Sequence, residues 1–456
     1  MRLLTILIVL TFVAVQTVSP VPDSPQSAPA VTLYDSNPGH VWNRLHEALF
    51  VRKDASGAIY GSDSLDPLLW LNSTHLLAGP SHQRALQVLD EFLQTHAENL
   101  IRDPVKRAML QHDLWAIFDW SIEREPERPG KPEYEREKRE LQMRLAEVLR
   151  RLALTSKQIE SLPDNYAQAV ASGNFGKAYD PAHSDRAFLP PDLFDQRGSW
   201  LEIEGAGDPE PVAPQHLTAV SGRSRFLVFM RLPGGRKATF DYLQSLWNFP
   251  QPWVVRPDAP NQTETNPDLP SFPVGTEVAL VRQMTLFDDH GNLVPAPITE
   301  SVQIRVYRTS TTTMAGAEHA SFLDEMIARS GQAFYEIRLN RAQLFANNAG
   351  GLRAVGPSER EFFTFNAHGD DQIESSGRWP PRQYPPITKM CAQCHRGSGI
   401  NSLNTREVLL KPRFLQQDAT WTYPPRWWEN DGTIYWKQQR YDWGLLNGYW
   451  TASDRR

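Results

Sequence analysis

Between about Asn37 and Gly173, apolar residues recur every three or four positions, the repeat of a helix that buries one side. The segment from Arg84 to Leu93 sets Leu86, Leu89 and Leu93 on one stripe. Asp103-Pro104 has the form of an N-cap followed by proline at the first helical position. The helix it opens carries Met109, Leu110, Leu114, Ile117 and Phe118. From Glu135 to Leu154, a stripe of Leu141, Leu145, Val148, Leu149 and Leu152 opposes the charged run Glu135 to Glu140, a solvated face. Thr155 or Ser156 then caps a short helix through Ser161. Residues 37–173 are thus expected to form a helical module.

The period changes at residues 198–366. Arg225 to Leu232 reads as a strand closed by the turn Pro233-Gly234-Gly235. Val278 to Phe287, Val302 to Tyr307, Ala333 to Leu339 and Glu361 to Phe365 add further strands, and Ser301 to Val306 alternates strictly. Asp288-Asp289-His290-Gly291-Asn292 has the donors of a metal loop but fits a hairpin turn better. Pro250 to Pro273 is proline-laden and predicts a surface loop. The expected fold class is α+β and multidomain: the helical module, a central all-β sandwich-like or partial-barrel domain at 198–366, and a C-terminal segment at 367–456.

Composition narrows the class. Apolar residues make up 40% of 456, ample for a core, and the net charge of −6 gives no reason to invoke nucleic acid. Met1-Arg2 precedes an apolar run from Leu3 to Val15. That run is shorter than the about 20 residues a spanning helix needs. Residues 1–19 are therefore expected to be a signal peptide, or an N-terminal anchor if uncleaved. Residues 20–36, rich in Pro, Ser and Ala, are expected to be a disordered tether.

The chemistry concentrates near the C-terminus. The chain has 2 cysteines, both in Cys391-Ala392-Gln393-Cys394-His395. The pattern C-x-x-C-H supplies two thiols that can add across haem vinyl groups and an adjacent imidazole for the iron. With 12 histidines in 456 residues, a chance His in that slot is roughly a one-in-forty event on composition. A redox dithiol or a structural disulfide remains the alternative; zinc lacks the further thiols it would need. No repeat of the motif occurs, which argues against a multihaem protein.

On these residues the C-terminal segment resembles a c-type cytochrome module fused behind an exported region. The resemblance implies one covalently attached haem c, with Cys391 and Cys394 forming the thioethers and His395 the proximal iron ligand. The chain departs from the usual pattern because no Met and no His follows His395. A distal ligand must come from upstream, with His368 the nearest candidate and Met314, His319 and Met326 behind it. Lys411 and Lys437 remain as unusual ligands, as does an open iron. Trp421, Tyr423, Trp427, Trp428, Tyr435, Trp436, Tyr441, Trp443, Tyr449 and Trp450 crowd the C-terminus. They are suited to cover a haem, or to pin the tail onto the β domain.

The expected function is an exported, periplasmic monohaem protein that transfers single electrons to an unidentified redox partner protein. It would touch a membrane only through an uncleaved N-terminal segment. A haem enzyme or small-ligand sensor with an open distal iron is the alternative. A non-haem extracytoplasmic binding protein with a Cys391–Cys394 disulfide is the third reading. No catalytic residue is singled out.

Overall fold

A computed structural model of the chain describes residues 32–53, 59–61, 75–122, 134–204, 211–308, 331–359, 387–388, 395, 399–400, 411–412 and 432–453. The expected signal segment, most of the tether and the strand expected at Glu361 to Phe365 lie outside the described residues. The helices are α1 (Val41–Phe50), α2 (Gly79–Gln94), α3 (Pro104–Trp120), α4 (Glu135–Leu152), α5 (Ser156–Glu160), α6 (Asn165–Ser172), α7 (Pro214–Ala219), α8 (Gly235–Trp247), α9 (Arg341–Phe345), α10 (Gly432–Gln438) and α11 (Tyr441–Ser453). The strands are β1 (Arg52–Lys53), β2 (Ile59–Tyr60), β3 (Leu201–Glu204), β4 (Ser224–Arg231), β5 (Trp253–Arg256), β6 (Ala259–Thr265), β7 (Glu277–Phe287), β8 (Leu293–Tyr307), β9 (Gln332–Leu339), β10 (Leu352–Ala354) and β11 (Lys411–Pro412). The α+β class is as expected.

Local chemistry sets the helix boundaries. The Asp103 carboxylate accepts from the backbone N–H groups of Val105 and Lys106, with Pro104 at the first position of α3. Thr155 and Gln158 form a reciprocal capping box at α5. The predicted α3 residues Met109, Leu110, Leu114, Ile117 and Phe118 are all buried. In α2 the buried stripe is Ala85, Val88, Leu89 and Phe92, rotated from the predicted one so that Leu86 and Leu93 flank it.

The central strands form one antiparallel seven-stranded sheet, in the order β10-β9-β8-β7-β4-β3-β11. Register places Leu227 opposite Val281, Val281 opposite Val302, and Val302 opposite Ile337, so one face is apolar across four strands. Met109 of α3, Ile159 of α5, Tyr166 of α6 and the loop residues Phe188 and Trp200 cover that face. The expected sandwich is thereby corrected. The second layer is helical, so the sheet and the helices share one core instead of forming two stacked sheets.

The β7–β8 turn is the hairpin expected at Asp288–Asn292: Asp288 Oδ1 accepts from the N–H groups of His290 and Asn292. The register slips near Gln283, and the fully buried Asn165 holds the slip from the helical side. Its Oδ1 accepts from Thr299 N at 2.7 Å, and its Nδ2 donates to the carbonyls of Thr299 and Gly350, both at 3.0 Å. Within the predicted surface loop, β5 and β6 pair as an exposed hairpin. Helix α8 begins at the second glycine of Pro233-Gly234-Gly235, so that turn leads into a helix and not directly into another strand.

Of the C-terminal aromatics, Trp443 and Trp450 pin the tail to the helical core and to the end of the sheet at once, beside Trp115 of α3 and Phe287 of β7. Trp450 Nε1 donates to the Ala146 carbonyl at 2.9 Å, and Tyr449 Oη to Gln142 Oε1 at 3.1 Å. Trp421, Tyr423, Trp427 and Trp428 lie outside the described residues.

Candidate functional site

The opposite face of the sheet is mixed: Met230, Val278 and Tyr307 join an apolar cluster with Leu243 and Leu246 of α8, and a polar patch lies beside it. The patch runs from Phe226 to Arg282 and Ser301, and in the next rows through Gln303 with Glu336 and Arg305 with Phe334. Gln303, Arg305 and Glu336 are buried, so this face is covered rather than wet. Buried charge needs partners. Gln303 Nε2 donates to Glu336 Oε2 at 3.2 Å, Arg338 Nε to Glu336 Oε1 at 2.9 Å, and Arg282 to Glu300 Oε1 at 3.3 Å.

His395 lies against this face and is buried. Gln332, at the start of β9, donates from Nε2 to the His395 carbonyl at 3.1 Å. The described residues on either side are also anchored. Ile387 N donates to the Glu359 carbonyl at 2.9 Å, and Ile400 packs with Met230, Val278, Phe272 and Tyr307. Gly399 (φ +52°) sits so close to Ser271 that any Cβ would overlap its hydroxyl. Cys391, Cys394 and His368 lie outside the described residues.

Among the described residues, the His395 ring stacks with that of His216, a residue the sequence reading did not single out. The two imidazole planes are parallel within 4°, with centroids 5.9 Å apart. His216 sits on the one-and-a-half-turn helix α7, started by Pro214 and braced by the Thr218 hydroxyl, which donates to the Pro214 carbonyl. The chain leaves α7 through Ser221 (φ +50°) and Gly222 (φ +72°) and enters β4 directly. At Gly222 a Cβ would stand 3.0 Å from the Trp436 ring of α10, so only glycine allows that packing. Phe226, two residues into β4, has its ring centroid 5.5 Å from that of His216, tilted by 39°. The ring is therefore fixed from helix, turn and strand.

Burial pushes the His216 imidazole down to about 4, and the Arg305 and Arg282 guanidiniums add to that shift. The ring is neutral near pH 7, with a lone pair available to a metal. The residues present suit a haem in kind: the His395 imidazole is a donor for the iron, and the guanidiniums of Arg282 and Arg305 suit carboxylates such as haem propionates.

A run of buried polar contacts links α3 to the sheet and to α10. His112 Nδ1 lies 3.7 Å from Glu300 Oε1, and His112 Nε2 lies 3.3 Å from the Arg223 carbonyl. Arg223 donates to Asp119 at 2.9 Å, and Lys437 Nζ lies 2.7 Å from Asp119 and 3.1 Å from Asp442. Lys437 is thus committed to two carboxylates, which corrects its place among the iron-ligand candidates. The Asp288, Asp289 and His290 donors lie within 4.8 Å of one another. Asp288, however, already accepts from Ser156 Oγ at 2.5 Å and from the turn backbone, which accounts for it structurally.

The chain matches no protein-family model, no curated protein and no solved structure. No helix among the described residues is long and apolar enough to cross a membrane.

Proposed function

We propose that the chain is an exported monohaem c-type electron-transfer protein, with haem c held covalently by Cys391 and Cys394 and His395 as the proximal ligand. The observation that carries this reading is the state of His395. The residue that completes C-x-x-C-H is buried, held at its carbonyl by Gln332, and faced by a second imidazole. A motif histidine free of any such role would more commonly sit at the surface of its loop.

Bound there, a haem supplies one-electron exchange between ferric and ferrous iron. The chain's own part is to hold, orient and shield. Gln332 fixes the backbone of His395, and Gly399 and Ile400 tie the exit of the motif to the sheet. Arg282 and Arg305 set a positive field beside the imidazoles, which favours the more reduced, less positive iron.

The test uses full-length protein matured in a host that exports it and attaches haem. Acid–acetone extraction followed by a pyridine haemochrome spectrum should show one haem retained per chain. Colourless extracted protein, or the two sulfurs joined in a disulfide, would overturn the proposal.

A further inference from the structure

We propose that β5 is a self-association strand. Its outer edge pairs, antiparallel and about a two-fold axis, with the same strand of a second copy of this chain. The proposal does not depend on haem.

The two strands of the β5–β6 hairpin differ in how they are protected. Among the described residues each pairs only with the other, so the hairpin presents two outer edges. An outer edge carries unpaired backbone N–H and C=O groups, and proteins commonly block it with proline, charge or a bulge. Strand β6 has all three. It contains Pro260 and Glu264, and it bulges where Val255 pairs with Thr263 but Arg256 already pairs with Ala259. Strand β5 reads Trp253-Val254-Val255-Arg256, without proline or acid, and its first three residues are strong strand formers. Its one charge stands at the end and is held by Asp258 at 2.6 Å. One strand is defended and the other is left open.

Symmetry chooses the register. In an antiparallel pair, hydrogen-bonded and non-hydrogen-bonded positions alternate. A two-fold axis must therefore pass through a residue that stands opposite its own copy. With Val254 on the axis, each Trp253 stands opposite the other copy's Val255. Positions 253 and 255 share a face of the strand, so the two contacts make one apolar strip. Aromatic and β-branched residues directly opposite one another stabilise a strand pair. Val255 is 57% exposed in the single chain, and this register covers it. Val255 on the axis would instead set Val254 against Arg256 and Trp253 against Pro257. Val254 is the better centre.

Size sets the strength. A strand of 4 residues cannot supply the roughly 1,200–2,000 Å² that a stable interface buries. The dimer is therefore reversible, forming in concentrated protein and dissociating on dilution.

Sedimentation equilibrium of the full chain, from micromolar to near-millimolar concentration, tests this. Wild type is compared with Val254→Lys, Val254→Glu and an equimolar mixture of the two variants. Val254 is half-buried in an exposed hairpin, so either substitution should leave the fold intact, as circular dichroism verifies. Wild type should show a monomer–dimer equilibrium. Each variant alone sets like charges opposite one another on the axis and should weaken association about tenfold or more. The mixture sets opposite charges at that same point and should associate again, as a heterodimer. Wild type that is monomeric at every concentration would overturn the proposal. So would a variant that dimerises as strongly as wild type, or a mixture that stays monomeric. Monomeric wild type that floats with neutral phosphatidylcholine vesicles would give the strand to a lipid surface and overturn it as well. None of these readouts depends on haem content, so this test and the haem test fail independently.

Discussion

Lys437 Nζ lies 2.7 Å from Asp119 Oδ2, and neither side chain has any exposure to water. Residues 318 apart in sequence are thereby joined at the centre of the molecule. The pair extends to Arg223 on one side, and to Asp442 and Arg440 on the other. Each carboxylate of this cluster faces more than one cation, which is the condition under which buried charge is tolerable.

Removing one member should therefore be costly. Lys437→Met leaves two carboxylates with less compensation and is expected to destabilise the fold by about 3–5 kcal/mol. Adding Asp442→Asn should recover part of the loss. Chemical denaturation of the three proteins measures both effects, and a single-variant loss below about 1 kcal/mol would contradict the role given to the cluster.

The turn into β4 has its own sensitivity. Gly222→Ala places a side chain at φ +72° and drives Cβ toward the Trp436 ring. A loss of about 1–3 kcal/mol is expected. Chemical denaturation of both proteins measures it, and a loss below about 0.5 kcal/mol would contradict the packing given to this turn.

His112 gives a pH dependence with a definite sign. Burial holds its folded-state value below the ordinary 6.5, opposed by Glu300 and Asp113 and reinforced by Arg223 and Arg282. Below 6.5 the unfolded chain therefore binds more protons than the folded one. Its contribution is fully present above pH 6.5 and is lost as pH falls through 6.5 toward the depressed folded value. His112→Gln should flatten this slope. Denaturant midpoints at pH 7.5 and 5.5 for both proteins test it, and identical slopes would refute the assignment.

The proposed covalent tethers predict graded losses. Cys391→Ala or Cys394→Ala should each weaken haem retention, and the double variant should release all colour into acid–acetone. His395→Ala should retain colour poorly and shift the spin state. An unchanged spectrum in the His395 variant would contradict its proximal role.

How much of this was legible beforehand depended on the range of the interaction. The cap at Asp103-Pro104, the Thr155 capping box and the Asp288–Asn292 hairpin are local, and their sequence signals match their structures. Strand alternation from Ser301 to Val306 gave the strand but not its partner layer, because an apolar face accepts helices or a second sheet equally well. Helix α8 was hidden by Pro233-Gly234-Gly235, which ends a strand whatever comes next. Trp443 and Trp450 read equally as haem cover or as pins for the tail because composition carries no direction, whereas the structure commits both to Trp115 and Phe287. The stacking of His216 on His395 was not legible. A histidine on a proline-started turn of helix has no local mark that sets it apart.

Trp450 reaches back 304 residues to the Ala146 carbonyl, and Arg150 reaches forward to the Trp450 carbonyl. A chain made or threaded from its N-terminal end cannot seal the helical core until this last helix has arrived. Trp115 and Phe287 must wait beside an open seam in the meantime. By then Cys391 and Cys394 have already emerged, so the proposed haem attachment would meet them on a half-closed chain rather than a finished one.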